Sequence, residues 1–187
     1  MRVPKVCTMT AWVVLGLTLA LPAASQAATA QKIDAAADTT LAQFKTQFAG
    51  SSTVLRKAKG VLVFPEVIQA GVGIGGQYGE GVLRIHGRSV GYYSFTSASI
   101  GLQLGAQRKS IIIAFLQDNA LRRFQEQARQ DKAFNIGGDA SVALLTNGSE
   151  AAVTSALDQP IVGFVFNQAG LMGSLSLQGS KIARIQR

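Results

Sequence analysis

The residues of this 187-residue chain that could do chemistry are few and widely spaced. There is one histidine, His86, and one cysteine, Cys7, and the acidic residues are scattered singly. No His, Asp or Glu residues have the spacing of a metal site, and no HExxH-type helix is present. Asp34 and Asp38 stand four apart. Two carboxylates on a solvated helix face neither hold a metal well nor divide into an acid and a base without burial. His86 sits between Ile85 and Gly87 at a strand end, the place of a partly exposed turn histidine rather than a general base. No serine lies in a G-x-S-x-G turn. Gly71-Val72-Gly73-Ile74-Gly75-Gly76 imitates a phosphate loop, but that fingerprint needs a helix opening directly after the glycines. Gln77-Tyr78 and a hairpin follow instead. The expectation is a protein without catalytic residues, metal or cofactor, an undetected hydrolase being only a remainder.

What remains is positive charge: eighteen Lys/Arg against ten Asp/Glu. Four groups stand out: Arg56, Lys57 and Lys59; Arg84 and Arg88 beside His86; Arg108 and Lys109; and Arg122, Arg123 and Arg129. Each has an ordinary explanation. The first complements the C-terminal end of a short helix, worth ~0.3–1 kcal/mol per charge. The last surrounds Glu126 at the spacings of helix ion pairs. Arg108-Lys109 reads as a hairpin tip. Gathered on one face, however, such groups would attract anions. A basic residue near an anionic bilayer contributes ~1 kcal/mol, so four in register give about 4 kcal/mol, a millimolar affinity. Firmer attachment needs an apolar insertion, for which Phe95, Leu171 and Met172, near loop ends, are the candidates.

The first 27 residues read as an export signal. Arg2 and Lys5 precede an apolar core from Ala11 to Leu21, and Ser25-Gln26-Ala27 fits a cleavage site after Ala27. That core is shorter than the ~20 residues of a comfortable membrane span; a retained anchor is the alternative. Cys7 precedes the core, whereas a lipoprotein cysteine follows it, so lipidation is not expected. The remaining 28–187 would hold neither cysteine nor tryptophan and keep a formal charge of +6. With no disulfide, the fold must stand on one hydrophobic core, and one domain is the expected count. A periplasmic or secreted address makes nucleic acid an improbable partner and anionic lipid headgroups the favoured one. Envelope proteins are the alternative.

Several elements must position these groups. Ile33, Ala37, Leu41, Phe44 and Phe48 recur at helical spacing, which predicts a helix from about Gln31 to Phe48. Gly50 ends it, and Ser51 or Ser52 caps a second, short helix that stops before Gly60. The helical part therefore spans 31–59 and a β core spans 60–187. In that core Ile100, Leu102, Leu104 and Ala106 alternate with Gly and Gln. Gly79-Glu80-Gly81, Gly87-Arg88 and Arg108-Lys109 read as hairpin turns, and Ser110 to Phe115 as a strand. A helix capped by Asp118 runs through about 118–130 on a Leu121, Phe124, Ala128 stripe. Strand character returns at 140–145, 161–166 and 171–177. About nine strands and three helices are expected. Glycine inside strands demands sharp curvature or a closely packed neighbour. The fold class predicted is α+β, an antiparallel β-barrel-like core with helices on its surface, although the pattern alone does not exclude a sandwich.

Lys57-Ala58-Lys59-Gly60, then Gln69-Ala70-Gly71, Gly79-x-Gly81, Gly101-Leu102-Gln103-Leu104-Gly105-Ala106-Gln107, the 111–116 strand and Phe124 form an ordered series. From about Ser51 to Arg187 the chain resembles the SYLF domain family of yeast actin-patch, plant FYVE and bacterial envelope proteins. The resemblance implies a β-barrel core with surface helices and binding to phosphoinositides; some yeast members also bind actin. Tyr93-Ser94-Phe95-Thr96 stands where eukaryotic members carry Trp-Ser-x-Pro, which points to the bacterial branch. The amphipathic lipid-binding N-terminal helix of those members is not clearly reproduced. Other anionic phospholipids then substitute for phosphoinositides. The lipid-binding candidates are Arg56, Lys57, Lys59, Arg84, Arg88, Arg108 and Lys109.

Overall fold

The computed structural model describes residues 29–146, 149–169 and 176–187. The expected export segment, most of the expected 171–177 strand, and Leu171 and Met172 lie outside these residues. Helix α1 (Ala30–Gln47) follows the predicted periodicity, and Thr29 caps it by accepting a hydrogen bond from the Lys32 amide at 3.4 Å. Its buried stripe of Ile33, Ala37 and Phe44 continues into Phe48. Phe44 and Phe48 meet the rings of Phe164 and Phe166 at centroid distances of 4.7–5.9 Å. Gly50, with φ 82°, turns the chain into α2 (Ser51–Lys57) and is itself the N-cap. The expected Ser51 cap is corrected: Ser51 is buried and donates back to the Lys45 carbonyl.

Two long strands dominate the rest. Strand β1 (Gly60–Ile85) pairs antiparallel with β2 (Arg88–Phe115), from Gly60↔Phe115 to Ile85↔Arg88. Their turn is His86-Gly87, both at positive φ (50° and 77°), which suits a tight two-residue hairpin. His86 is exposed there, as expected. The other two predicted turns do not exist. Gly79-Glu80-Gly81 lies inside β1 opposite Phe95-Ser94-Tyr93, and Arg108-Lys109 lies inside β2 opposite Ile68 and Val67.

The glycines have a different use: the second half of β1 folds back across its first half. A Cβ at Gly79 would sit 2.6 Å from the Glu66 carbonyl oxygen and 2.7 Å from Val67 Cγ2. One at Gly81 would strike the Val63 carbonyl and the Phe64 ring. At the end of this crossing a Cβ on Gly60 would meet Leu121 at 2.9 Å and Leu83 at 3.4 Å. The pairing shifts register between Phe64 and Val67, where Pro65 occupies the irregularity, and between Gly71 and Gly73.

Strand β2 is central. Its C-terminal half also pairs with β5 (Ile161–Ala169) and its N-terminal half with β6 (Lys181–Ile185). β3 (Phe134–Asn135) extends β6, and β4 (Ala143–Leu145) extends β5. The β4–β5 pair is parallel, a departure from the expected meander. The intervening helix α4 (Glu150–Ala156), capped by Ser149, supplies the crossover such a pair needs. At seven residues α4 is too short to show a period, and the sequence reading omitted it. The predicted 140–145 strand contracts to β4 and a single bridge from Ala140 to Ile136. Helix α3 (Asp118–Arg129) buries Leu121, Phe124 and Ala128 as foreseen, with Gln117 rather than Asp118 as N-cap. The six strands, with β1 and β2 each bending into two runs, form the predicted α+β architecture: a curled, mostly antiparallel half-barrel with four helices.

Both faces of the sheet are covered. The inner face packs Leu62, Phe64, Phe95, Ile111 and Ile113 against α3, and the outer face packs Val63, Ile112, Ala114 and Phe164 against α1, α2 and α4. That double burial is why Ile111 to Phe115 reads as an unbroken apolar run.

Gly79→Ala is expected to lower stability by about 1–3 kcal/mol, because backbone opposes the new methyl group. Gly76→Ala, whose nearest neighbour is 3.9 Å away, should be neutral or slightly stabilising. Urea denaturation midpoints for the two variants check the contrast, and equal midpoints would remove the fold-back as the reason for Gly79.

Candidate functional site

The contact of Gly60 with Leu83 and Leu121 brings the end of α2, the β1–β2 hairpin and the start of α3 to one end of the half-barrel. Two of the predicted basic groups lie at that end. Arg56 and Lys57 are exposed on the last turn of α2, with Arg56 reaching only the Thr53 hydroxyl at 3.3 Å. Arg88 is exposed beside the hairpin turn. Lys59 forms an open ion pair with Asp118 at 3.7 Å, worth little in water.

Arg84 is engaged differently. Its side chain is 14 % exposed and lies between Asp38 at 2.5 Å and Asp34 at 3.7 Å, and it also donates to the Asp34 carbonyl. Asp34 further accepts from Ser89 at 2.7 Å and Tyr92 at 2.9 Å. Burial, then the bond to Asp34, raises the Tyr92 pKa. Asp34 and Asp38 are therefore not simply a solvated helix face: they dock α1 onto the hairpin. Arg84 belongs to that dock and is unavailable to an external anion.

Arg108 and Lys109 lie elsewhere. Eight residues of extended strand separate Ile68, their neighbour, from Gly60, a distance of about 26 Å. Arg108 points outward and pairs with Glu66 at 3.2 Å. Lys109 lies on the inner face opposite Val67, is 7 % exposed, and its ammonium has no ion pair or hydrogen bond among the described residues. Burial pushes its pKa down to about 8. Neither residue occupies a hairpin tip, because the β1–β2 pairing runs straight through them. Phe95 is also corrected: it is fully buried against Phe64, with ring centroids 5.5 Å apart, and cannot insert into a bilayer.

The sequence reading missed a further cationic site. Arg184 of β6 lies opposite Tyr93 of β2, and with Ser89, Tyr92, Asp131 and Arg187 it lines a groove of about 460 Å³. Burial raises the Tyr93 pKa, while the charges of Arg184 and Arg129 oppose that rise. Arg187 is itself bound to Glu80. Residues 129 and 184 are 55 positions apart, and only the folded structure shows that the charges of both reach Tyr93. On α3, Arg123 donates to the Asp139 carbonyl at 3.2 Å, and Glu126 forms no ion pair among the described residues. Among those residues no cluster of three or more His, Cys, Asp or Glu could hold a metal, and no helix is long and apolar enough to cross a membrane.

Residues 96–187 match a protein family described as Ysc84, Las17-binding protein actin regulator. This is the SYLF family that the motifs suggested, and the match covers just under half of the chain. The description is that of a binding domain, not of a catalyst. A search of curated proteins finds no match. The boundary at residue 96 falls within β2, whose other half is paired along its length with β1, so the fold continues N-terminally beyond the matched span.

Lys109 gives the site a pH signature. In the unfolded chain its ammonium titrates near 10.5, and in the fold near 8. Below pH 8 the folded state carries the full cost of a buried charge. As pH rises from 8 to 10.5 the folded protein loses a proton that the unfolded chain keeps, so stability gains a component increasing with pH. Lys109→Met should raise stability at pH 7 by about 1–3 kcal/mol. The gain should shrink across that window, as measured by urea unfolding of parent and variant at pH 7, 9 and 10.5. A variant less stable than the parent at pH 7 would contradict the reading.

Proposed function

We propose that this protein is an exported SYLF domain that attaches peripherally to anionic phospholipid surfaces through the end bearing Arg56, Lys57 and Arg88, and that it catalyses no reaction. One observation carries this reading. These three exposed cations have no carboxylate partner among the described residues, whereas Lys59, Arg84, Arg108 and Arg187 are matched to acids of the fold. At ~1 kcal/mol each they supply about 3 kcal/mol, so attachment is weak and falls with salt. The reading of residues 1–27 as an export signal supports a periplasmic or secreted location.

A second reading follows from the family description, which names a protein that binds Las17 and regulates actin. By analogy this chain would be a protein-interaction module of the cell envelope, indifferent to lipid charge.

Flotation with liposomes separates the two. Binding to phosphatidylglycerol vesicles, absent on phosphatidylcholine and fading between 50 and 300 mM salt, is the expected result. The triple charge reversal Arg56→Glu, Lys57→Glu, Arg88→Glu should abolish it, while Arg108→Glu leaves it intact. Equal flotation on neutral and anionic vesicles would favour the protein-partner reading.

A further inference from the structure

The inner face of the half-barrel is not apolar throughout. From the α3 end inward it is built of Leu121, Phe124, Phe64 and Phe95, and the row reaches Val67 with Lys109 directly opposite. The next inner pair is Gln69↔Gln107. The crossing half of β1 follows the same order. Gly81 lies on Phe64 and Gly79 on Val67, so Gln77, two residues further on the same face, arrives beside Gln69. Ser97 is the strand partner of Gln77. A layer of three glutamines and a serine thus lies next to a buried lysine, one step beyond the aromatic core.

This layer is electrostatically incomplete. Lys109 is more than nine-tenths buried, and no described carboxylate approaches it. Glu66, the neighbour of its strand partner Val67, is exposed and engaged with Arg108. The Oε1 of Gln77 is buried without a partner. A half-turn of that amide places an NH₂ donor at the same point. Gln69 is buried too. A charge enclosed this way is costly unless an opposite charge joins it, and a phosphate oxygen that accepts from an ammonium and neighbouring amides forms strong, short hydrogen bonds. Beyond the glutamines the next inner pair is Gly71↔Gly105, which contributes no side chains between the layer and the bend of the strands.

We propose that Lys109, with Gln69, Gln77 and Gln107 around it, is the receptor for a single phosphate group, the headgroup of an acidic lipid or a free phosphate. The site deepens the membrane reading, which it requires only for the lipid source.

Thermal unfolding at pH 7 tests this with three additions at equal ionic strength: chloride, inorganic phosphate, and monomeric short-chain phosphatidic acid. The parent should gain ~2–4 °C over chloride with the acidic lipid, and with inorganic phosphate also if free phosphate is the natural source. Lys109→Met should gain nothing, and Lys109→Arg should keep part of the gain. Phosphate should also move the Lys109 side-chain titration, followed by NMR in the parent protein, back toward that of an ordinary lysine. No gain in the parent with either phosphate source, an unmoved titration, or an equal gain in Lys109→Met overturns the site. Flotation is read separately. Vesicle binding that survives in Lys109→Met alongside a failed thermal shift removes this site alone, whereas a thermal shift without flotation removes the membrane reading alone.

Discussion

The fold depends on one close approach, the passage of the second half of β1 over the backbone of its first half. Gly79 and Gly81 permit it because no Cβ stands between the two segments. Without that crossing, β1 and β2 would be a long flat ribbon with one face open to water, and a two-stranded ribbon is not stable alone. With it, Phe64 and Phe95 close on each other, α3 seals one end, and the inner face becomes a core. The opposite end receives the polar layer, so the same crossing that buries the aromatic residues also encloses Lys109.

The distribution of ion pairs follows from this geometry. The outer face is a platform for α1, and the docking set Arg84, Asp34, Asp38, Ser89 and Tyr92 fixes the N-terminal part of that helix to the hairpin. At the other end Gln43 and Gln47 hold Asn167, which adopts a positive φ of 55° and also reaches Ser110. Charges used in this way are structural. Those at the end of α2 and beside the hairpin turn have no such duty, and net charge alone could not have separated the two sets.

The sequence disclosed the local features and concealed the long-range ones. Helices α1 and α3 were legible because their apolar residues recur with a clean period and because Gly50 marks a stop. The barrel-like class was legible from glycine inside strands. What glycine could not disclose was which of its two uses applied. At Gly79 and Gly81 it was read as a turn, when its function is to admit a neighbouring backbone; only His86-Gly87 is a turn of the β1–β2 pair. The misplaced turn at Arg108-Lys109 had a similar origin. Two adjacent cations look like a loop, and their true setting is fixed by pairing with Ile68 and Val67, some forty residues away in the chain. Seven lysines and arginines are candidates for lipid contact in the sequence, and strand register divides them between two ends and an interior.

The seating of α1 bears on how such a domain could meet a bilayer at all. Phe44 and Phe48 press on Phe164 and Phe166, Ile33 is buried on the same face of the helix, and each large apolar side chain withdrawn from water stabilises the seated helix by ~1.5–3 kcal/mol. Peeling the helix away to sink it among acyl chains would uncover the phenylalanines beneath and break the clamps at both of its ends. The helix is thus a fixed wall, and lipid must come to a rigid body whose contact surface is already shaped.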